Sequence, residues 1–205
     1  AITAVCVGIM LAIVAKGGWE YYERQQEVDI GKAYAAATTP EQLKAFAASH
    51  SGHTLGGIAQ IRIADEAYKA AKPADAIAAY DKALTALKDG PLAARAKIGR
   101  ALAQAQAGKS AEASNELKQL AGNASQFKAV RTEAAYHLTS LAVDAGNAAD
   151  AQKHVDQLMQ IDVSSPWTQR AMSLRATLPA PAAPTATDAK PAASATDVQV
   201  KLPGK

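Results

Sequence analysis

Residues 103–110 read Ala103-Gln104-Ala105-Gln106-Ala107-Gly108-Lys109-Ser110, and they fit two incompatible structures. One is a phosphate-cradling loop, in which a small residue and four others precede Gly-Lys-Ser. The other is the end of one helix and the start of the next. A working phosphate loop follows a buried strand and opens a helix, with its backbone N–H groups wrapped around the phosphates. Here the upstream residues have helical periodicity, and no strand ending in an acidic metal ligand lies downstream. The spacing therefore predicts a turn between two helices, and no nucleotide is expected as a ligand.

The same punctuation recurs. Ala71-Lys-Pro-Ala-Asp-Ala76, Gly108-Lys-Ser-Ala-Glu-Ala113 and Gly146-Asn-Ala-Ala-Asp-Ala151 align. Each starts with a small residue at the turn, carries an acid and reaches an alanine five residues on. Bulkier residues follow four positions later, at Tyr80, Leu117 and Val155. The aligned alanines are 37 and 38 residues apart, near the 34-residue period of a helical-hairpin repeat. Helix-like stretches precede each turn, at Leu55–Ala70, Leu92–Ala107 and Phe127–Ala145. Glycine at 108 and 146 suits a left-handed helix C-cap, and the small residues allow close helix approach.

The composition agrees with an all-α chain. Hydrophobic residues make up 49% of 205, but aromatics only 5%. Alanine dominates the remainder, and it is the best helix former with little area to bury. The formal charge of +3 comes from dispersed Lys and Arg, so nucleic acid is not an expected partner. The single cysteine, Cys6, excludes both an internal disulfide and a cysteine-rich zinc site.

Residues 1–15, AITAVCVGIMLAIVA, contain no charge. As a helix they span about 22 Å, short of the roughly 30 Å hydrocarbon core, so a longer apolar segment is expected. Trp19, Tyr21 and Tyr22 follow where an aromatic belt sits, and Lys16 can snorkel. The favoured reading is a transmembrane helix contacting the bilayer through residues 1–15. A signal peptide competes, but Ile13 and Ala15 make a poor cleavage site. A buried core helix is the third reading, and it would carry a polar face. Glu20, Glu23, Glu27 and Asp29 outweigh Arg24 and Lys32 after the anchor, which places the body outside the cytoplasm.

The flanks complete the organisation. Thr39-Pro40-Glu41-Gln42 reads as an N-cap with a capping box opening a short helix. Ser165-Pro166-Trp167 opens another, with Trp167, Ala171 and Leu174 able to cover the end of a stack. From Pro179 onward, Pro, Ala, Thr and Ser predict a disordered tail. The expected divisions are 1–22 (anchor and aromatic exit), 23–54 (linking helices), 55–178 (repeat domain with capping helix) and 179–205 (tail).

Over about 110 residues, roughly 50–160, the three aligned segments resemble the tetratricopeptide superfamily. Apolar anchor, Gly-Gly-Trp-Glu-Tyr-Tyr exit, long-period repeat and Pro-tipped last helix together resemble the tetratricopeptide-like ancillary subunit of the bacterial Sec translocon. That resemblance implies a single-pass inner-membrane protein with a periplasmic repeat domain bridging the translocon to chaperones. The long Pro/Ala tail departs from that family's pattern.

The chemistry-bearing residues each admit a plain structural role. His50 and His53 offer two metal nitrogens without a third ligand, and Ser-Gly-His-Thr reads as an interhelical loop. No nucleophile has a partner motif, no cofactor is expected, and Glu112 and Glu116 read as helix surface. Projection of the first helix of each repeat gathers Arg62, Asp65, Tyr68 and Lys69, then Arg95, then Tyr136 and His137, on one concavity. Such a face suits a peptide or partner helix, against the alternative of a solvated surface. The functional expectation is a non-enzymatic scaffold binding other proteins. The alternative is an accessory subunit contacting a membrane complex mainly through its anchor.

Overall fold

A computed structural model describes residues 2–179, with side chains from Lys16 onward. The described residues form nine α-helices and no strand: α1 (Ile2–Ala36), α2 (Pro40–Ser49), α3 (Thr54–Lys69), α4 (Pro73–Leu87), α5 (Pro91–Gln106), α6 (Ser110–Gly122), α7 (Lys128–Asp144), α8 (Ala148–Asp162) and α9 (Pro166–Arg175). The described residues are all-α, as the composition predicts. No helix among the described residues is long and apolar enough to cross a membrane. The expected transmembrane helix therefore finds no support here: α1 runs through the apolar stretch into Lys16, Glu20 and Glu23 without a break. The tail expected beyond Pro179 lies outside the described residues, as do the side chains of 1–15 and with them Cys6.

The three aligned turns close in one way. Lys109 N–H donates to Gln104 C=O at 2.8 Å and Gly108 N–H to Ala105 C=O at 3.0 Å. Lys72 and Ala71 donate likewise to Ala67 and Tyr68, and Asn147 and Gly146 to Ala142 and Val143. This paired pattern is the Schellman motif, which satisfies the last carbonyls of a helix through one left-handed residue. That residue is Gly108 (φ 80°), Gly146 (φ 68°) and, in the first turn, Ala71 (φ 54°). Ala71 thus holds the same conformation without glycine's freedom.

The aligned positions line the core. Ala76, Ala113 and Ala151 are fully buried, and so are Leu117 and Leu158, while Tyr80 and Val155 are almost so. Each hairpin packs on its neighbours in sequence, and α3, α5 and α7 also touch one another in a row extended by α1 at one end and α9 at the other. Among the described residues α4, α6 and α8 make no such mutual contact. The first helices therefore form a close inner row and the second helices a splayed outer one. One apolar cluster joins α3, α4 and α5 around Ile61 and Tyr80, and a second joins α5 to α9 around Leu117 and Leu158.

Close approach has a specific cause at α5. A Cβ on Gly99 would sit 2.3 Å from Tyr80 Cζ, so the bare backbone is what admits the Tyr80 ring. Between α4 and α6, Arg100 uses Nε and Nη2 as a fork on Glu116, at 3.1 and 2.6 Å, and Nη1 on Asp81. Glu116 is only 13% exposed at its side chain, which corrects its reading as helix surface. Glu112 is exposed, as expected. In sequence, a carboxylate with a buried stem is indistinguishable from a solvated one until its arginine is known.

Both Pro-tipped starts have the expected caps. Thr39 and Gln42 form a reciprocal capping box, and the Ser165 hydroxyl accepts from Trp167 N–H. The segment 23–54 does more than link. Leu43, Phe46 and Ala47 of α2 pack with Ala37 and Ala59, with Ile30 and Tyr34 against them, so the end of α1 pairs with α2 as a further hairpin on α3.

Candidate protein-binding row

The inner helices bring together most of the residues that sequence projection selects. Asp65 on α3 and Arg95 on α5 form an ion pair, with Arg95 Nη2 at 3.2 Å from both carboxylate oxygens. The Tyr80 hydroxyl also donates to Asp65 Oδ1. Burial, and then that hydrogen bond, push the Tyr80 hydroxyl pKa well above its usual value. Asp65 is thus fixed from two sides, and Arg95 keeps donors free of it, because a guanidinium carries five N–H groups.

Two of the expected residues face elsewhere. The Arg62 guanidinium lies 5.9 Å over the Tyr34 ring, with Nη1 3.4 Å from its hydroxyl, so it joins α3 to α1. Lys69 is exposed and pairs with Glu66 on its own helix at 3.0 Å. Helical projection gives an angle about the axis, and it does not tell which neighbour a long side chain will find.

Tyr68 is half-buried and lines a groove of about 980 Å³ together with Gln106, Tyr136 and His137. Gln106 Nε2 donates to the Tyr68 carbonyl at 3.5 Å, tying α5 to the end of α3. Lys118, Asp150 and His154 from the outer helices contribute to the same groove. Tyr136 and His137 are ring neighbours at 5.2 Å, and the Trp167 ring on α9 stands 5.0 Å from Tyr136 and 6.0 Å from His137. Arg170 lies 4.9 Å over the Trp167 ring, a cation–π arrangement.

The electrostatics of α7 centre on Arg95. Burial, and then the positive charge of Arg95, hold the His137 pKa down at about 4, so its imidazole is neutral at pH 7. Burial raises the Glu133 carboxyl, and Arg95 opposes it. Sequence reading missed Glu133, Trp167 as a member of this row, and Arg170. Glu133 was within reach of it: it precedes Tyr136 by three residues and His137 by four, so all three share a helix face. Nothing in sequence joins Trp167 to Tyr136, because α7 and α9 meet only through the packing.

The histidine pair and the 103–110 stretch each have a local structural role. His50 stacks on Phe46 at 4.3 Å, while His53 Nδ1 accepts from Leu55 N–H and its Nε2 meets Glu27 at 3.0 Å. The two imidazoles thus serve separate helix ends, and no group of three or more metal-ligating side chains occurs among the described residues. At residues 103–110 the N–H groups of Gly108 and Lys109 are bonded to α5 carbonyls, so these two amides serve the helix turn. No family model, curated protein or solved structure matches this chain.

Proposed function

We propose that the chain is a membrane-anchored, non-enzymatic scaffold that binds other proteins along the row formed by α3, α5, α7 and α9. One observation carries the reading: four consecutive inner helices present half-buried acidic and aromatic side chains and exposed arginines side by side. These are Asp65 and Tyr68, then Arg95, then Tyr136 and His137, then Trp167 with Arg170. Aromatic and arginine side chains held rigid by their neighbours are the groups that dominate protein–protein recognition. Repeated hairpins supply the extended surface, as in tetratricopeptide-like solenoids. The charge-free run 1–15 is the proposed bilayer contact, and the acidic stretch after it supports a body outside the cytoplasm.

The resemblance to the Sec ancillary subunit makes a translocon and periplasmic chaperones the partners to look for. Affinity capture from solubilised bacterial membranes, followed by mass spectrometry, tests this directly. Arg95→Ala/Tyr136→Ala is expected to lose most recovered partners, whereas Arg62→Ala/Lys69→Ala, whose side chains face elsewhere, retains them. Equal recovery from both variants would refute the binding row.

A second reading has its own observation. Trp19, Tyr21 and Tyr22 on α1 are 66%, 71% and 59% exposed, and the α1 side-chain packing on the body centres on Ile30 and Tyr34. An accessory subunit using α1 for its main contact would give crosslinks concentrated in residues 1–22. The scaffold gives them along residues 55–145.

A further inference from the structure

The outer helices differ from one repeat to the next at three matched positions. Between α4 and α6, Arg100 closes the cleft by holding Asp81 on one side and Glu116 on the other. The offsets of 37 and 38 residues that align the turns carry Asp81 to Lys118, Arg100 to Leu138 and Glu116 to His154. All three of these counterparts line the groove of about 980 Å³ that α6, α7 and α8 frame. The cation that bridges the earlier cleft is a buried leucine in the later one. A lysine and an imidazole stand where two carboxylates held it, so the polarity of the position is reversed.

The exchange leaves a polar atom without a partner. His154 is 8% exposed, and its Nδ1 has no hydrogen-bond partner among the described residues. Buried polar groups are nearly always satisfied, so an orphan on the wall of a groove marks a place for a ligand atom. Burial lowers the His154 pKa; Gln157 and Asp150 oppose that shift, and the charges of Lys118 and Lys153 add to it. Toward the turn the sign of the groove reverses, where Asp144 ends α7 and Asp150 opens α8. Asp150 precedes His154 by four residues, about 6 Å along the helix axis. In an extended chain alternate side chains share a face about 7 Å apart, a matching interval. We propose that this groove binds an extended segment of a partner protein carrying an acidic and a basic residue two positions apart. The carboxylate accepts from the Lys118 ammonium and from the His154 imidazole, taking the place that Arg100 fills one repeat earlier, and the basic residue meets Asp150. The site lies on the outer helices and is separate from the row of α3, α5, α7 and α9.

The test uses the full chain in detergent micelles and the peptide acetyl-Ala-Lys-Ala-Glu-Ala-Lys-Ala-amide, which presents the pair in either chain direction. Imidazole signals are followed by NMR, with His154 assigned through His154→Gln. The peptide should move the His154 signal and raise its titration midpoint, leaving His50 and His53 in place. A dissociation constant on the order of 1 mM is expected for a short segment that loses its freedom on binding. Lys118→Gln, a change at an exposed position, should weaken binding about threefold, the worth of an exposed ion pair. The peptide with Gln in place of Glu should leave the His154 signal unmoved. A stationary His154 signal well past millimolar peptide would overturn the proposal, as would equal binding of the Gln peptide or by Lys118→Gln. An equal shift with acetate alone would also overturn it, since the site then takes any small carboxylate. So would a shift produced by raising the protein concentration without peptide, because the occupant is then a second copy. These readings at His154 are independent of whether partner capture depends on Arg95 and Tyr136.

Discussion

Ala71 offers a sharp test of the hairpin geometry, because it holds at φ 54° the left-handed position that Gly108 and Gly146 hold in the other two turns. For an L-residue with a Cβ that conformation costs about 1–2 kcal/mol. Glycine removes the cost but loses about 0.4–1 kcal/mol through the greater freedom of its unfolded chain. Ala71 is exposed, so removing its methyl group forfeits little burial. Ala71→Gly should therefore stabilise the protein by roughly 0.5–1 kcal/mol, raising Tm by about 1–4 °C for a chain of this size. The converse is equally clean. A Cβ on Gly108 would meet nothing within 4 Å, so Gly108→Ala should destabilise by a similar amount through backbone strain alone. The double variant should return close to the parent. Thermal unfolding by circular dichroism measures all three, with urea titration to verify an unchanged m-value. A destabilised Ala71→Gly, or a neutral Gly108→Ala, would refute the assignment of equivalent Schellman turns.

Three further outcomes follow from the packing and charge. Gly99→Ala drives a methyl group into the Tyr80 ring and should cost about 1–3 kcal/mol as an overpacked core position; pairing it with Tyr80→Leu should recover part of that loss in the same unfolding assay. Arg100→Met leaves Glu116 part-buried without its fork and should cost about 1.5–3 kcal/mol in urea unfolding, with Glu116→Gln in the same chain reducing the penalty. The His137 pKa is lowered from 6.5 to about 4 on folding, so the unfolded chain binds a proton there first as pH falls. The neutral imidazole's contribution is complete above pH 6.5 and is lost progressively down to about pH 4, by at most about 3 kcal/mol at 1.36 kcal/mol per unit. His154 is shifted in the same direction, so His137→Asn should flatten the acid limb of the stability–pH profile in part, and adding His154→Asn should flatten it further. An acid limb as steep in the double variant as in the parent would show that neither histidine drives it.

Sequence by itself determined the helical hairpins and their punctuation. Turn residues, N-caps and the aligned alanines act over a few residues, and their chemistry is written in the order of the chain. Thr39 and Gln42 had to cap α2, and Gly108 and Gly146 had to end α5 and α7, whatever the rest of the molecule did. The identity of the second-turn stretch, Gly108-Lys109-Ser110, followed from the same local rules. Tertiary structure decided which side chains meet. Whether Arg62 turned to Tyr34 or to the groove, whether Glu116 was solvated or held by Arg100, and whether Trp167 merely covered the stack or joined Tyr136 depended on distances between helices. Those distances are set by small residues packing across turns, by Gly99 admitting Tyr80, and by the inner helices drawing closer than the outer ones. A periodic pattern specifies a face for each helix, and only the packed stack gives that face its neighbours.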